Sequence, residues 1–426
     1  MARPEADSTP VVNVRRLFRM PWKTSDNAMS WLEPTRKCNI TCDACFVIND
    51  PLSQKSLPRI EEELDTLLRL RRTDAVLIAG GEPLTHPDIV KIVRIVSRRN
   101  VKAQIVTNGV GLDSPLLHEL RANGADGITF HVDSHQSRPG WIGKNERELN
   151  DLRQHYADMV RSEGGLVCAF NTTVFPDTLL FLPDIVEWTS RNIRQVNVMT
   201  LIAARMLSPS VPFDFYAGGK KVDLAEMGFY SETAYTNLTT LDMLREVRKV
   251  LPDFEFCGFI GGTAIPHSLK WGIACRVGSR KQSYGNVGPR SMEIMQNAYH
   301  MWNGCYLSYA RPRLSRKGRS LLWLGLVDPE LRRTTITYLR AMVRHPMRLF
   351  EPLCVQTISL LQPLDILANG EQDNCDGCPN GTVWRDRIVP ACQLDNYMKF
   401  GGPVSMAPKG SREIPPLPSS GEGAGG

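Results

Sequence analysis

The sequence predicts an α/β fold: an open, curved barrel of strand–helix units, followed by an α-rich lobe that carries cysteines. Between residues 30 and 202, short β-rich runs alternate with amphipathic stretches of helix length. Such alternation is typical of a parallel sheet with crossover helices. Beyond residue 205 the alternation stops, and a cysteine-bearing segment closes the folded part of the chain. The barrel and the C-terminal lobe are therefore expected to be distinct regions.

The elements of the barrel can be placed along the chain. Predicted strands span residues 30–36, 74–79, 102–106, 126–132, 166–174 and 194–201. Predicted helices span residues 57–71, 86–99, 114–123, 145–163 and 178–191. Six units are too few for a closed eight-fold barrel, so we expect a partial (β/α)6 TIM barrel, with its chemistry on the loops that follow the strands.

The flanking regions divide the chain further. We predict an N-terminal extension (1–27), the barrel (28–205), a C-terminal substrate and auxiliary region (206–405) and a disordered tail (406–426). The C-terminal region contains predicted helices at 237–250 and 330–345, the second of them basic and amphipathic. The tail is rich in proline, glycine and serine, which is typical of disorder.

Composition limits the class of protein. The chain has 426 residues, of which 42% are hydrophobic and 23% charged, enough for a large core. Its N-terminus lacks the apolar core of a signal peptide, and no apolar run approaches the roughly 18 residues of a spanning helix. We therefore expect a cytoplasmic protein, soluble or peripheral to a membrane. Its 11 cysteines favour free thiols and metal ligands over disulfides.

Charge is concentrated in residues 311–350. This segment carries ten Lys and Arg against two acidic residues, a net +8, so the rest of the chain carries −2 of the total of +6. The segment also contains the apolar run 321–324. Such a segment favours an anionic partner, either a phosphate-bearing substrate or an anionic membrane surface. An ordinary solvated helix face is the alternative.

Three cysteines in one short loop are the most informative feature of the chain. Cys38, Cys42 and Cys45 follow the first predicted strand with the spacing C-x3-C-x2-C. Three thiolates can hold three corners of an iron–sulfur cube and leave the fourth iron open to a small molecule. A structural zinc site would need a fourth protein ligand, and no fourth cysteine or histidine lies nearby.

Polar residues follow the later strands. Gly80-Gly81-Glu82-Pro83 ends the second strand, and glycines there let the backbone approach a ligand closely. Asn108 follows the third strand, Asp133 the fourth, and the fifth carries Asn171 and Thr173. Since these strand ends meet at one mouth of the barrel, an extended polar cofactor could lie across them.

In these motifs the chain resembles the radical S-adenosylmethionine (radical SAM) superfamily, over roughly residues 28–205. The resemblance implies a [4Fe–4S] cluster on the three cysteines, with the amino and carboxylate groups of S-adenosylmethionine on the open iron. It also implies that Gly81 and Glu82, in the cofactor-binding run Gly80 to Pro83, hold the methionyl amine. By the same resemblance, the residues near the ribose or sulfonium would be Asn108, Asp133, Asn171 and Thr173.

The implied reaction is reductive cleavage of the sulfonium. A reductant such as flavodoxin or ferredoxin would supply the electron, and a 5′-deoxyadenosyl radical would abstract hydrogen from an unactivated C–H bond. The position before the third cysteine, often aromatic in the family, is Ala44 here. Phe46 is therefore the candidate for the adenine contact. A structural metal loop on an inactive barrel is the alternative interpretation.

A second cysteine group lies near the end of the chain. Cys375, Cys378 and Cys392 form a C-x2-C-x13-C arrangement in loop-like sequence, which favours an auxiliary iron–sulfur cluster like those of SPASM or twitch extensions. A zinc site and unligated thiols are the alternatives. A fourth ligand, if any, would come from Cys257, Cys275, Cys305 or Cys354, whereas Cys168 is expected to be a packed core residue.

The loop after the fourth strand is long and polar. It contains His131, His135 and Arg138, so we expect it to reach the substrate, although each histidine is more easily explained as structural than as catalytic. No recognisable nucleic-acid-binding module is present.

The sequence motifs specify the radical and not its target. The run from Gly80 to Pro87 resembles lipid-acting members of the tetraether synthase and hopanoid adenosyltransferase types. The leading hypothesis is thus C–H functionalisation of a lipid-like substrate. A peptide- or protein-modifying maturase is the second, and an electron carrier without catalysis is the third.

Overall fold

The computed structural model describes residues 12–230 and 238–410. After a short strand β1 (Phe18–Arg19), six parallel strands follow one another in chain order. They are β2 (Met29–Thr35), β3 (Ala75–Gly80), β4 (Lys102–Thr107), β5 (Ala125–His131), β6 (Val167–Val174) and β7 (Val198–Ala203). The crossover helices are α1 (Leu57–Leu70), α2 (Ile89–Ser97), α3 (Ser114–Ala122), α4 (Leu149–Glu163) and α5 (Leu182–Arg191).

This arrangement confirms the predicted partial barrel, and the differences lie at element ends. Helix α4 begins at Leu149, not at 145, because Asn145 and Glu148 exchange hydrogen bonds in the preceding turn. Strand β7 begins at Val198 because the amides of Gln195 and Val196 both donate to the carbonyl of one turn residue, Asn192.

The C-terminal region extends the barrel sheet. Strand β13 (Cys354–Leu361) lies parallel to β7, and the long strand β11 (Trp271–Gly278) pairs antiparallel with β13. Beyond β11 lie β10 (Gly258–Ile260) and β1, and β12 (Ser283–Asn286) pairs with the end of β11. All eight residues of β11 are buried, so the strand lacks the alternating pattern that would reveal it in the sequence.

Helices and small sheets complete this region. The helices are α6 (Thr240–Val250), α7 (Pro289–Asn303), α8 (Pro312–Ser315), α9 (Gly318–Leu321), α10 (Pro329–Arg344) and α11 (Leu394–Phe400). The small sheets comprise β8 (Phe213–Ala217) with β9 (Lys220–Val222) and β18 (Ser405–Pro408), β14 (Asp365–Ile366) with β15 (Gln372–Asp373), and β16 (Gly381–Trp384) with β17 (Arg387–Pro390).

One predicted boundary needs correction. Residues 406–408, placed in the disordered tail by the sequence, belong to strand β18, which pairs with β8. Met406 is buried there beside Phe215, because a methionine among aromatic side chains has apolar surface to bury. Residues 411–426 of the predicted tail lie outside the described residues.

Two apolar clusters form most of the core. The larger lies between the barrel strands and helices α1 to α5, and includes Phe130, Phe170 and the predicted core residue Cys168. The second lies between the strands β10 to β13 and helices α7 and α10. None of the described helices has the length and apolar character needed to cross a membrane.

Candidate active site

The first cysteine loop lines a cavity at the carboxyl ends of the barrel strands. Cys38, Cys42 and Cys45 all contribute to the wall of this cavity, whose volume is about 380 Å³. Burial raises the pKa of all three thiols, and for Cys42 the negative charges of Asp133 and of the other two cysteines raise it further. Without a bound cation the loop therefore holds neutral thiols, which would have to lose their protons when a metal cluster binds.

The glycines after β3 hold this loop in place. The amide of Gly81 donates to Thr35 (3.0 Å) and that of Glu82 to Lys37 (2.8 Å). A Cβ on Gly81 would collide with the carbonyl oxygens of Arg36 and Lys37, and Gly80 has a φ of +108°. Only glycine permits this approach, so the Gly-Gly pair is required for packing against the cysteine loop.

Glu82 braces two strand ends. Its carboxylate is fully buried and accepts hydrogen bonds from the amide of Leu84 (2.9 Å), the hydroxyl of Thr107 (2.7 Å) and the amide of Asn108 (2.7 Å). Burial raises the pKa of this carboxyl, and these hydrogen bonds oppose the rise. Neither Glu82 nor Pro83 is among the cavity-lining residues. A contact of Glu82 with the methionyl amine stays a prediction.

The loop after β5 clamps the cysteine loop from the other side. The amide of Asp43 donates to the carbonyl of His135 (3.0 Å), and the amide of Ser137 donates to that of Thr41 (2.9 Å). The ring of His135 lies between the carboxylates of Asp43 (2.9 Å) and Asp177 (3.2 Å). His135 is outside the cavity wall, which accords with a structural part for this histidine.

Arg138 of the same loop has a place that the sequence did not suggest. Instead of reaching toward a substrate, it is 2% exposed and donates to the carbonyls of Asn108 (2.5 Å) and His131 (3.0 Å) and to Gln136 (2.8 Å). A buried guanidinium can satisfy several carbonyls at once because it carries five donors in a rigid fork. Arg138 thus fixes the ends of β4 and β5 relative to each other.

The polar residues predicted at the strand ends divide into two groups. Gly80, Gly81, Asn108, Asn171 and Thr173 line the cavity, as their predicted role requires. The side-chain amide of Asn108 lies 2.7 Å from that of Asn39 and 3.9 Å from the sulfur of Cys38, next to the first cysteine loop.

Asp133 belongs to the other group. It is buried behind the cavity wall, where it accepts from the amide of His135 (3.1 Å) and lies 3.0 Å from the ring of His131. His131 itself lines the cavity and is 2.9 Å from the Thr173 hydroxyl. Any contact of Asp133 with a cofactor would therefore pass through His131 or its neighbours, and its predicted role stays a prediction.

Phe46, the candidate for the adenine contact, lines the cavity. Its ring centroid lies 6.0 Å from that of Trp31 and 6.0 Å from that of Phe229. Ala44, two residues before Phe46, has a φ of +55°. This conformation is uncommon for a residue with a side chain and shows how tightly the loop turns. This aromatic wall offers a flat ring a place to stack.

The second cysteine group lines the same cavity as the first. Cys375, Cys378 and Cys392 all line it. Burial raises the pKa of all three thiols. Negative charge on Cys378 and Cys392 raises the pKa of Cys375 further, and negative charge on Cys378 raises that of Cys392. Cys375 and Cys378 belong to one loop and Cys392 to a short 3-10 helix, and their role as cluster ligands stays a prediction.

The second triad is braced by distant segments. The buried guanidinium of Arg71 donates to the carbonyls of Cys378 (2.7 Å) and Pro379 (3.3 Å). Gly377 packs so closely on the carbonyl of Trp22 that a Cβ would collide with it. Cys375 itself pairs with Gly262 in an isolated β-bridge.

A buried charge network lies beside this triad and was not found from the sequence. Lys270 is fully buried and pairs with Asp365 (2.5 Å) and Asp373 (3.0 Å). Asp365 also pairs with Arg205 (2.5 Å), which lines the cavity. The charge of Lys270 opposes the raised pKa of Cys375. Arg205 follows the last barrel strand, β7. This position after a strand is the one feature of the sequence that could have indicated the charge network.

None of the four cysteines considered as a fourth ligand lines the cavity. Cys257 and Cys275 are buried in the second core cluster. Cys354 begins β13 at the end remote from the cavity, and Cys305 follows α7. A cluster on the second triad would therefore keep one iron without a cysteine ligand from this set.

The donor sets suit clusters better than single ions. Within the described ranges, no three His, Cys, Asp or Glu side chains are gathered as ligands for one metal ion. A cube binds each cysteine at a different iron, so it needs thiols spread around its corners. The three thiols of the first loop fit such a group, and a cluster on the second set, which lies beside buried Lys270 and Arg71, stays a prediction.

One family model matches most of the barrel. Residues 32–179 match the model of the Radical SAM superfamily. The chain carries a radical SAM domain. The match begins in β2 and includes the first cysteine loop and the Gly-Gly-Glu-Pro run. It confirms, at the level of the superfamily, the resemblance predicted from these motifs.

Individual relatives match only in part. The chain is 35% identical over 105 residues to the S-adenosylmethionine-dependent nucleotide dehydratase of Selenomonas ruminantium, covering 24% of this chain and 38% of that protein. It is 36% identical over 104 residues to the PqqA peptide cyclase of Gluconobacter oxydans, covering 22% and 27%. The chain thus spans less than two fifths of the length of these relatives.

Among solved structures, Streptococcus suis SuiB bound to S-adenosylmethionine aligns with a TM-score of 0.38 and 15% identity. That alignment covers 54% of this chain and 48% of SuiB.

Proposed function

We propose that this chain binds S-adenosylmethionine at a [4Fe–4S] cluster on Cys38, Cys42 and Cys45 and uses it to functionalise an unactivated C–H bond. The observation that carries the proposal is the radical SAM domain with its three cysteines open to one cavity. A cluster held by these cysteines and reduced by an external one-electron donor such as flavodoxin or ferredoxin would supply the electron that cleaves S-adenosylmethionine to methionine and a 5′-deoxyadenosyl radical, and this radical would abstract the hydrogen atom.

The chain's own residues would position these groups. The backbone of Gly81 and Glu82 fixes the cysteine loop to β3, and the loop after β5 covers its other side. Asn108 would orient a polar cofactor beside Cys38, and Phe46 would stack on its base.

We further propose that Cys375, Cys378 and Cys392 hold an auxiliary iron–sulfur cluster. Their place on the wall of the same cavity as the first triad supports a substrate that lies near both triads. The positive charges of Lys270 and Arg71 would offset the negative charge of the thiolates.

The substrate we propose is apolar, with a lipid-like chain. Apart from the two triads and the strand-end polar groups, the cavity wall is formed largely by apolar side chains, among them Trp31, Ile202, Trp271, Leu361 and Leu364. An aliphatic chain would lie against these residues without leaving polar groups unpaired, whereas a polar substrate would lose its hydration there.

The test uses the full chain with its clusters reconstituted under anaerobic conditions. Phospholipids with perdeuterated acyl chains are supplied with dithionite and S-adenosylmethionine, and 5′-deoxyadenosine is measured by mass spectrometry. We expect lipid-dependent formation of 5′-deoxyadenosine that carries deuterium. Cys45→Ala should abolish it, and Cys305→Ala, remote from the cavity, should not. Unlabelled 5′-deoxyadenosine at the lipid-free rate would exclude this substrate class.

A second candidate is modification of a peptide or protein. It is supported by the C-terminal cysteine triad and by the partial similarity to the PqqA peptide cyclase. Under the same conditions, a peptide encoded beside this gene would be supplied in place of the lipid. Peptide-dependent 5′-deoxyadenosine with a mass change in the peptide would favour this candidate over the lipid.

A further inference from the structure

A group of large apolar side chains is exposed on α10 and on two short 3-10 helices beside it. Trp323 and Leu326 belong to the first short helix (Leu322–Leu326), and Phe350 to the second (Pro346–Phe350). Their exposed fractions are 76%, 74% and 82%, and that of Val343 on α10 is 81%. We name this set the apolar face; its members are Trp323, Leu326, Leu339, Val343, Met347 and Phe350.

The members of the apolar face are held on neighbouring elements. Arg332 of α10 donates to the carbonyls of Gly325 (3.0 Å) and Leu326 (2.9 Å), which ties the first short helix to α10. Arg319 donates to the Tyr338 hydroxyl (2.8 Å) and to the carbonyl of Leu349, which ties the second. Leu339 and Val343 lie one turn apart on α10, directly after Tyr338.

The fold leaves this face without a partner. Helix α10 buries its other side, with Leu331, Thr334 and Tyr338, against β12 and the second core cluster. Burial of that side accounts for the stability of the helix, but it does not explain why the apolar side chains of Leu339 and Val343 are exposed to water. A group of exposed large apolar side chains on elements that pack together marks an interaction site.

The charge around the apolar face is positive. Arg313, Lys317, Arg340 and Arg344 are exposed, and none has a carboxylate partner among the described residues. The two acidic residues of the segment are engaged: Asp328 is buried as the cap of α10, and Glu330 pairs with Arg333 (3.3 Å). A second copy would oppose like charges here, so an anionic partner is favoured.

We propose that the apolar face docks on an anionic lipid bilayer. The aromatic and aliphatic tips would enter the interface, and the unpaired guanidinium groups would lie at the headgroup phosphates. The face lies near the start of β13, where Lys317 pairs with Leu353, whereas the cavity lies at the other end of that strand, at Leu361. Docking is thus separate from the radical chemistry, and either proposal can fail alone.

Vesicle flotation of the full chain tests the proposal. The lipids are phosphatidylcholine alone and phosphatidylcholine with phosphatidylglycerol, at low and high salt. We expect flotation with the anionic vesicles only, weakened by salt. Arg340→Glu with Arg344→Glu should weaken binding on the order of tenfold or more. Trp323→Ser with Phe350→Ser should weaken it as well, since the apolar tips are removed.

Matched controls lie on the barrel helices and loops. Arg161→Glu changes an exposed arginine of α4, and Ile142→Ser with Leu180→Ser removes exposed apolar side chains elsewhere. These variants should bind as the wild type does. The proposal is overturned if wild type fails to float with anionic vesicles, if neutral vesicles bind equally, or if face and control variants behave alike. Salt-sensitive binding of an acidic protein, without vesicle binding, would assign the face to a protein partner instead.

Discussion

The two cysteine triads face one cavity but are built in different ways. Cys38, Cys42 and Cys45 come from one short loop, fixed by backbone hydrogen bonds from the residues directly after β3 and β5. Cys375 and Cys378 come from a second loop and Cys392 from a short 3-10 helix, and these are held by Arg71 and by backbone far away in the chain.

This difference teaches which part of the site is local and which depends on the whole fold. The first triad needs only the barrel strands and short loops that belong to them. The second needs the C-terminal region packed on α1 and on the N-terminal segment before β2. Changes in the tertiary packing should therefore disturb the second triad before the first.

The sharpest test removes thiols from each triad in turn. We expect reconstituted wild type to hold about eight irons per chain, and both Cys38→Ala/Cys42→Ala and Cys375→Ala/Cys378→Ala to lower this to about four. Only the first pair should reduce formation of 5′-deoxyadenosine to the enzyme-free background, because the open iron that binds S-adenosylmethionine belongs to the first triad.

Cys305→Ala is the control, since this cysteine is half-buried and outside the cavity wall. Its iron content and activity should equal those of the wild type. If the second pair of substitutions left the iron content unchanged, the three C-terminal thiols would not hold a cluster, and the comparison between two metal sites would fail.

Gly81→Ala tests how strictly the first triad depends on backbone approach. The new methyl group would collide with the carbonyls of Arg36 and Lys37, so the cysteine loop must shift. We expect a loss of roughly 1–3 kcal/mol in the free energy of unfolding, as for overpacking, and selective loss of the first cluster, followed by iron content and absorbance. Gly402→Ala has open space around it and should change neither.

The sequence predicted the local triad more completely than the distant one. The spacing of Cys38, Cys42 and Cys45 and the run after β3 identify a site because the residues that build it are neighbours in the chain or end successive strands. The sequence did not predict that the Glu82 carboxylate accepts hydrogen bonds from Thr107 and Asn108. The motif identifies Glu82 but does not say whether its side chain points into the cavity or into the protein interior.

The C-terminal region shows the opposite case. Cys375, Cys378 and Cys392 could be proposed as one group, but nothing in the local sequence indicates Arg71 or Lys270 as their neighbours. Strand β11 was missed since a strand buried on both faces has no alternation, and β18 since it lies in a segment whose composition resembles a tail.

Arg71→Met tests the distant bracing. It would leave the carbonyls of Cys378 and Pro379 without their buried donor, at a cost of about 1–3 kcal/mol. We expect a lower melting temperature and loss of the second cluster, while cleavage of S-adenosylmethionine persists. Arg59→Met, on the exposed side of α1 in a surface pair with Glu62, should cost at most about 1 kcal/mol. Equal effects of the two variants would argue against bracing by Arg71.

The smallest expected effect concerns His135, which links the first cysteine loop to the end of β6. Burial lowers the pKa of this ring, but the carboxylates of Asp43 and Asp177 outweigh burial and raise the pKa above its ordinary value. Since the folded pKa is the higher one, the stabilisation is fully present below the unfolded pKa of about 6.5 and is lost as the pH rises through the folded value. Denaturant unfolding of the apoprotein should therefore show wild type more stable than His135→Gln at pH 5.5, with the difference shrinking by pH 9. Because the ring is partly exposed, solvent screening keeps this difference small. A difference that stayed constant between pH 5.5 and pH 9 would show that the ring is held by stacking on Phe175 and not by its charge.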